Sequence, residues 1–456
     1  MKKIFLSLFF IPLFTNAQHT ITGFLSPKPE TDWVILYKIE ATKQVFVNNT
    51  TIKQDSLLIS GTKKPVGRFS FNLPASAKAG AYRATYNIEG AGFVDFFYNK
   101  ENVSFIFNPE YPQQSIAFTQ SKENTIYQNY LTTIIKAQEN LDSIQVAYLQ
   151  DKTLSVEDNY KKAYKSFDSI QKNYEKESSG LYIAPFIKAS PRKNSPELLT
   201  SAKTYLESIE NTFFDKLDFS DKKLINSSFL INRILDYIFY INYTDDVEEQ
   251  QNLYKSAVTT VLSKIKSPSF KKDIIEFLVE QFEAQKNVAI IDYLFQNHYQ
   301  KLPINIQNQQ FIKDKEALLA AEIGRIAPDF SWQENGRSYN LSTLNDAETY
   351  VLVFWSTSCS HCLREIPQLH AFLKDQQTIK VVAFALENDA FVWENYTKTN
   401  LYGWHNVLGL NKWENKIARK YNITSTPSYF VLDKNKKIIA KPYELKDVKA
   451  YFESKK

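Results

Sequence analysis

The chain has 456 residues, 43% hydrophobic and 23% charged, with a net charge of +5, which makes it too long for one ordinary core and too apolar for a disordered chain. Its lysines are scattered among acidic residues with no basic patch or recognisable motif, which excludes a nucleic-acid-binding surface. It has just two cysteines, Cys359 and Cys362, which excludes a scaffold stapled by several disulfides across long loops.

Lys2 and Lys3 precede the apolar run Ile4 to Phe14, and Thr15-Asn16-Ala17 places small residues at the two cleavage-determining positions. Residues 1–17 therefore read as a secretory signal cleaved between Ala17 and Gln18. The run is short against the roughly 20 residues of a membrane-spanning helix. The mature chain is expected to be periplasmic and not membrane-spanning, with an uncleaved anchor as the competing reading.

Residues 18–120 alternate in short runs: Thr20 to Leu25, Trp33 to Ile39, Arg68 to Leu73, Tyr82 to Ile88, Phe93 to Tyr98 and Val103 to Phe107. Such runs, broken by turn residues, predict an all-β, sandwich-like domain or small barrel. Residues 121–320 change to helical spacing, with patterns at Asn124 to Leu149, Ser155 to Lys176, Pro196 to Leu217, Ser227 to Tyr243, Val247 to Lys266 and Ser269 to Gln300. Ser155 with Asp158 has the form of a capping box. This part reads as a helical spacer or docking region.

Residues 321–456 return to mixed signals. Ala327 to Phe330 opens a strand, Asn335-Gly336 marks a hairpin, and Tyr350 to Trp355 is the continuous apolar run of a central buried strand. A helix from Cys359, a strand at Ile379 to Leu386, helices at Asp389 to Thr399 and Trp413 to Tyr421, a hairpin of Ser428 to Leu432 with Lys437 to Ala440, and a closing helix from Leu445 complete an α/β sheet.

The dithiol falls where that central strand ends and a helix begins. Free N–H groups and the positive end of the helix favour an anionic sulfur at Cys359. The thiolate is the form that attacks a disulfide. Cys362, one turn later on the same side, is near enough to close a disulfide with it. Cys359 is thus the expected attacking thiol and Cys362 the resolving one. A zinc site would need about four ligands, and two cysteines with five dispersed histidines do not supply them; no metal or other cofactor is expected. A purely structural disulfide would close too small a ring to constrain the unfolded chain much.

Phe354-Trp355-Ser356-Thr357-Ser358-Cys359-Ser360-His361-Cys362-Leu363-Arg364-Glu365-Ile366-Pro367, followed downstream by Thr426-Pro427, resembles the active-site segments of TlpA/ResA-type thioredoxins. The N-terminal pattern Gly67 to Phe71, Gly80 to Tyr82 and Ser121 to Tyr127 resembles the small β-domain ahead of some such modules. The resemblance implies a thioredoxin-like fold for residues 321–456 and thiol–disulfide oxidoreductase activity. It also implies a cis peptide bond at Thr426–Pro427, where substrate would bind as an added strand, and a helix kink at Pro367. Glu365 is implied as an aid to proton movement beside the cysteines. Val353 departs from thioredoxins proper, which have a buried aspartate at the matching position, and this strengthens the case for Glu365. His361 and Trp355 are expected to modulate the site. A histidine at position 361 also occurs in strongly oxidising relatives, whereas the remaining scaffold resembles reductases. Leu352 stands where a peroxiredoxin would have proline, so peroxidase activity is disfavoured. The expected partners are protein disulfide substrates and a membrane thiol reductant as electron donor. Oxidase or isomerase activity, or a partner-binding module with a regulatory dithiol, are the alternatives.

Overall fold

The computed structural model describes residues 19–59, 61–87, 90, 92–400 and 402–455; the expected leader at 1–17 and Ile88 lie outside them. The chain divides into two compact units, 1–277 and 278–456, with the division falling inside the helix Pro268–Ala284.

In the first unit, β1 (His19–Leu25), β2 (Trp33–Glu40), β3 (Lys43–Thr51), β4 (Lys53–Ile59), β5 (Thr62–Leu73), β6 (Gly80–Thr85), β7 (Phe93–Tyr98), β8 (Val103–Phe107) and β9 (Ala117–Gln120) form two sheets. Their orders are β4-β5-β1-β8-β9 and β3-β2-β6-β7. Alternate residues of both sheets, among them Ile21, Leu36, Phe71, Phe96 and Phe105, bury into one core. Gly23 is required there, because a Cβ would lie 2.1 Å from the Phe69 ring of the neighbouring strand. The opposite face of β2, β6 and β7 contributes Ile39, Ala81 and Phe97 to a second, largely helical core. In it the rings of Phe97 and Phe186 lie 4.6 Å apart.

Strand β3 escaped the alternation test because it is exposed almost throughout, Phe46 included. Several helical expectations need correction; the pattern read from Ser269 to Gln300, for one, is two helices, Pro268–Ala284 and Val288–Asn297. The Ser155–Asp158 capping box does not form: the helix Glu157–Glu177 begins after Val156, one residue too late for Ser155 to cap it. The pattern from Pro196 is helical only over Ala202–Thr212, where the Ser201 side chain accepts from the Thr204 N–H and fixes the start. The pattern read as Ser227 to Tyr243 is an α-helix, Ser228–Asp236, that widens into a π-helical turn, Tyr237–Ile241.

The second unit opens with the helices Val288–Asn297 and Gln309–Leu319 and the hairpin β10 (Ser331–Glu334) with β11 (Arg337–Asn340). Asn335 and Gly336 both have positive φ, 50° and 74°, as a two-residue hairpin turn demands. The main sheet has the order β14-β13-β12-β15-β16, built from β12 (Thr349–Trp355), β13 (Ile379–Glu387), β14 (His405–Leu410), β15 (Ser428–Asp433) and β16 (Ile438–Ala440). Strand β12 lies at its centre, parallel to β13 and antiparallel to β15.

Both faces of β12 are covered, which accounts for its unbroken apolar run. Tyr350, Leu352 and Phe354 enter one core; Val351, Val353 and Trp355 enter the other, together with Cys362, Ile366 and Leu369 of the active-site helix (Ser360–Leu373). Strand β14 was not anticipated. The segment read as one helix from Trp413 is a 3₁₀ turn, Lys412–Glu414, then a short helix Lys416–Lys420 capped by Asn415. Among the described residues no helix is long and apolar enough to cross a membrane.

Candidate active site

Strand β12 ends at Trp355, and the chain must turn sharply to start the active-site helix. Side chains hold that turn. The Ser358 N–H donates to Ser356 Oγ at 3.2 Å, and the Cys359 N–H donates to the Ser356 carbonyl at 3.2 Å. Glu387, buried at the end of β13, accepts the Thr357 N–H at 2.6 Å. Lys412 donates to Ser358 Oγ at 2.9 Å.

Cys359 is the N-cap of the helix. Its sulfur accepts the Cys362 N–H at 3.2 Å, the role a serine or threonine oxygen usually plays. While protonated, the same sulfur donates to the Thr426 carbonyl at 3.4 Å. Both cysteines are unpaired, Cys359 partly exposed and Cys362 fully buried. Burial works against the Cys359 thiolate. The Cys362 thiol and N–H, the Thr426 side chain and the His361 N–H outweigh it, and the Cys359 thiol titrates below its ordinary range. Cys362 behaves oppositely: burial first, and then its donation to Cys359, push it up to about 12. The two sulfurs are thus biased in opposite directions, Cys359 toward the thiolate and Cys362 toward the thiol.

The remaining predicted residues gather around this pair. The Thr426–Pro427 bond is cis, and the Thr426 carbonyl lies against the Cys359 sulfur. Glu365 lies one helical turn beyond Cys362; its Oε2 accepts from the Tyr429 hydroxyl at 2.8 Å and its Oε1 is 3.4 Å from His361 Nε2. His361 is 55% exposed at its side chain and Glu365 13%. Trp355 is buried beneath the turn, its ring 5.2 Å from that of Tyr396. Pro367 lies inside the helix, and Val353 is wholly buried. His361, Glu365, Thr426 and Pro427 border a cavity of about 510 Å³. A larger cavity, about 630 Å³, lies within residues 81–232, where there is no cysteine; volume alone does not locate the chemistry.

Three site residues were missed in the sequence. Glu387 and Lys412 reach the turn from other strands' ends, with no local signal. Tyr429 was detectable in principle: it sits two residues after Pro427, and pairing β15 antiparallel to β12 puts it opposite Val353. Burial, then its bond to Glu365 and the charges of Glu365 and both sulfurs, raise its phenol far above the usual range. It is therefore a permanent donor to Glu365.

Residues 346–438 match a family described as thioredoxin-like. The thiol-disulfide oxidoreductase ResA of Bacillus anthracis is 26% identical over 134 residues, 29% of this chain and 73% of that protein. A thioredoxin-like protein of Haemophilus influenzae is 28% identical over 101 residues, 22% of this chain and 58% of that protein. Among solved structures, the thioredoxin domain of a Bacteroides vulgatus thiol-disulfide oxidoreductase is 22% identical over 29% of this chain and 96% of that one, with a TM-score of 0.27. The C-terminal third of the chain is a thioredoxin-like disulfide oxidoreductase domain of the ResA/TlpA type.

Proposed function

We propose that the protein is exported and reduces disulfide bonds of periplasmic proteins, with electrons supplied by a membrane thiol reductant. The observation that carries this reading is the asymmetry of the dithiol: a partly exposed Cys359 with a lowered pKa beside a buried Cys362 held protonated. The Cys359 thiolate attacks a substrate disulfide and forms a mixed disulfide. Cys362 then loses its proton and attacks Cys359, which frees the reduced substrate and leaves the Cys359–Cys362 disulfide. Thr426 and Pro427, bordering the cavity beside the pair, offer backbone to an extended substrate segment. The leader pattern at residues 1–17 supports export. One core shared by two sheets supports a sandwich-like form for residues 18–120.

The reducing direction is favoured by the pairing of the His361 ring with Glu365. A histidine engaged by a carboxylate is less available to stabilise a thiolate and so to make the disulfide a strong oxidant. The test is trapping in the periplasm. Cys362→Ser should accumulate substrates as mixed disulfides on Cys359, and Cys359→Ser should accumulate almost none. Equal trapping by the two variants would overturn the assignment of roles.

A further inference from the structure

Before Cys362 can attack, its proton must leave a wholly buried site. The side chains sharing its core include Val351, Val353, Ile366 and Leu369, none of which can take a proton. Glu365 is the carboxylate one helical turn away, and each of its oxygens is engaged separately. Oε2 is fixed from the buried side by the Tyr429 hydroxyl at 2.8 Å; Oε1 faces His361 Nε2, on the exposed side, at 3.4 Å. Tyr429 comes from β15, where it stands directly across from Val353 in the register with β12.

We propose that Tyr429 and His361 are positioning residues that hold Glu365 as proton acceptor for Cys362 and open a route from it to solvent. The inference rests on the disulfide-exchange reading above. In the resolving step the Cys362 S–H bond breaks and its proton passes to the Glu365 carboxylate. The Cys362 sulfur then forms a bond with Cys359, and the bond from Cys359 to the substrate sulfur breaks. The departing substrate thiolate takes up a proton from solvent, while Glu365 returns its own to solvent by way of His361. The protein dithiol is oxidised by two electrons and the substrate disulfide is reduced by two.

Among the described residues, the hydrogen bonds and ion pairs of the Glu365 side chain are confined to Tyr429 and His361. The other ionisable groups around the cavity it borders are Lys286, Glu322, Lys441, Glu444, Tyr421 and Tyr443. Of these, Glu322 and Lys441 neutralise each other at 2.6 Å, and Tyr421 is spent on the Pro328 carbonyl at 2.7 Å.

The experiment uses the reduced full-length protein and glutathione disulfide, which releases one glutathione on attack by Cys359 and a second on resolution by Cys362. Tyr429→Phe keeps the ring and removes the donor. It should slow the second release by about tenfold, less than the roughly 100–10,000-fold of an acid–base group itself because the acceptor remains and only its placement is lost, and leave the first release unchanged. The pH dependence of the second release should change, while that of the first stays as it was. His361→Gln, at an exposed position, should slow the second release in a way that added imidazole restores. The proposal fails if both variants keep the wild-type profile for the second release, or if Tyr429→Phe slows both releases equally. A wild-type protein that releases no glutathione would instead remove the oxidoreductase reading itself.

Discussion

The two units of this molecule use one structural device for different ends. In the first, the long helix Lys122–Gln150 is capped by Ser121, whose oxygen accepts the Asn124 N–H at 3.2 Å. In the second, the active-site helix is capped by Cys359, whose sulfur accepts the Cys362 N–H at the same 3.2 Å. Each cap satisfies an N–H that the helix leaves unpaired. A serine hydroxyl stays neutral at any ordinary pH, so the local field of the helix end yields stability only. A thiol can ionise, so the same N–H and the same field select the thiolate and yield reactivity. What distinguishes a structural cap from a nucleophile here is one atom type, together with access to solvent and a cis-proline loop on the other side.

The most severe way to break the comparison is to make the second cap resemble the first. Cys359→Ser should abolish disulfide reduction altogether while leaving the fold intact, since serine caps a helix well. Thiol release from a protein disulfide, read beside a thermal melt, checks both halves. Loss of folding instead would mean that the sulfur is needed for packing.

A smaller effect is expected from Glu365, the proposed proton acceptor, which the serine-capped helix has no counterpart for. Glu365→Gln should slow disulfide exchange by about 100-fold, the low end of the range for acid–base groups, with an unchanged melting profile. An unaltered rate and pH profile would leave Glu365 as an ordinary carboxylate. The smallest effect belongs to the structural cap. Ser121→Ala should cost about 1 kcal/mol of stability in the first unit and leave the alkylation rate of Cys359 as it was. A changed Cys359 rate would show that the two units are coupled.

How much of this was legible in the sequence depends on how local the signal is. Cys359, Cys362 and the Thr426–Pro427 pair stand in short ordered segments, and the central strand declares itself through the run Tyr350 to Trp355. The hairpin at Asn335-Gly336 is equally local. By contrast, the hydrogen bond from Tyr429 to Glu365 depends on strand register and on how the helix lies over the sheet, neither of which short-range spacing reports. Exposed β3 lacks the alternation that burial imposes, so periodicity had nothing to detect. Ser155 is the reverse case. Its spacing to Asp158 suits a capping box, but the helix starts at Glu157, and a shift of one residue turns a cap into a bystander. For the same reason the helix N-terminus at Cys359 was readable mainly because a buried strand ends just before it.

The central claim, that the two sulfurs are held in opposite states, is tested most directly by following iodoacetamide labelling of each cysteine in the reduced protein as pH is raised. Because the thiolate is the reactive form, a lowered pKa makes Cys359 label at lower pH than an ordinary thiol, and a raised one delays Cys362. The account predicts that peptide mass analysis finds Cys359 modified at neutral pH, with Cys362 modified only at far higher pH. Labelling of both cysteines with one shared midpoint, or of Cys362 first, would contradict it.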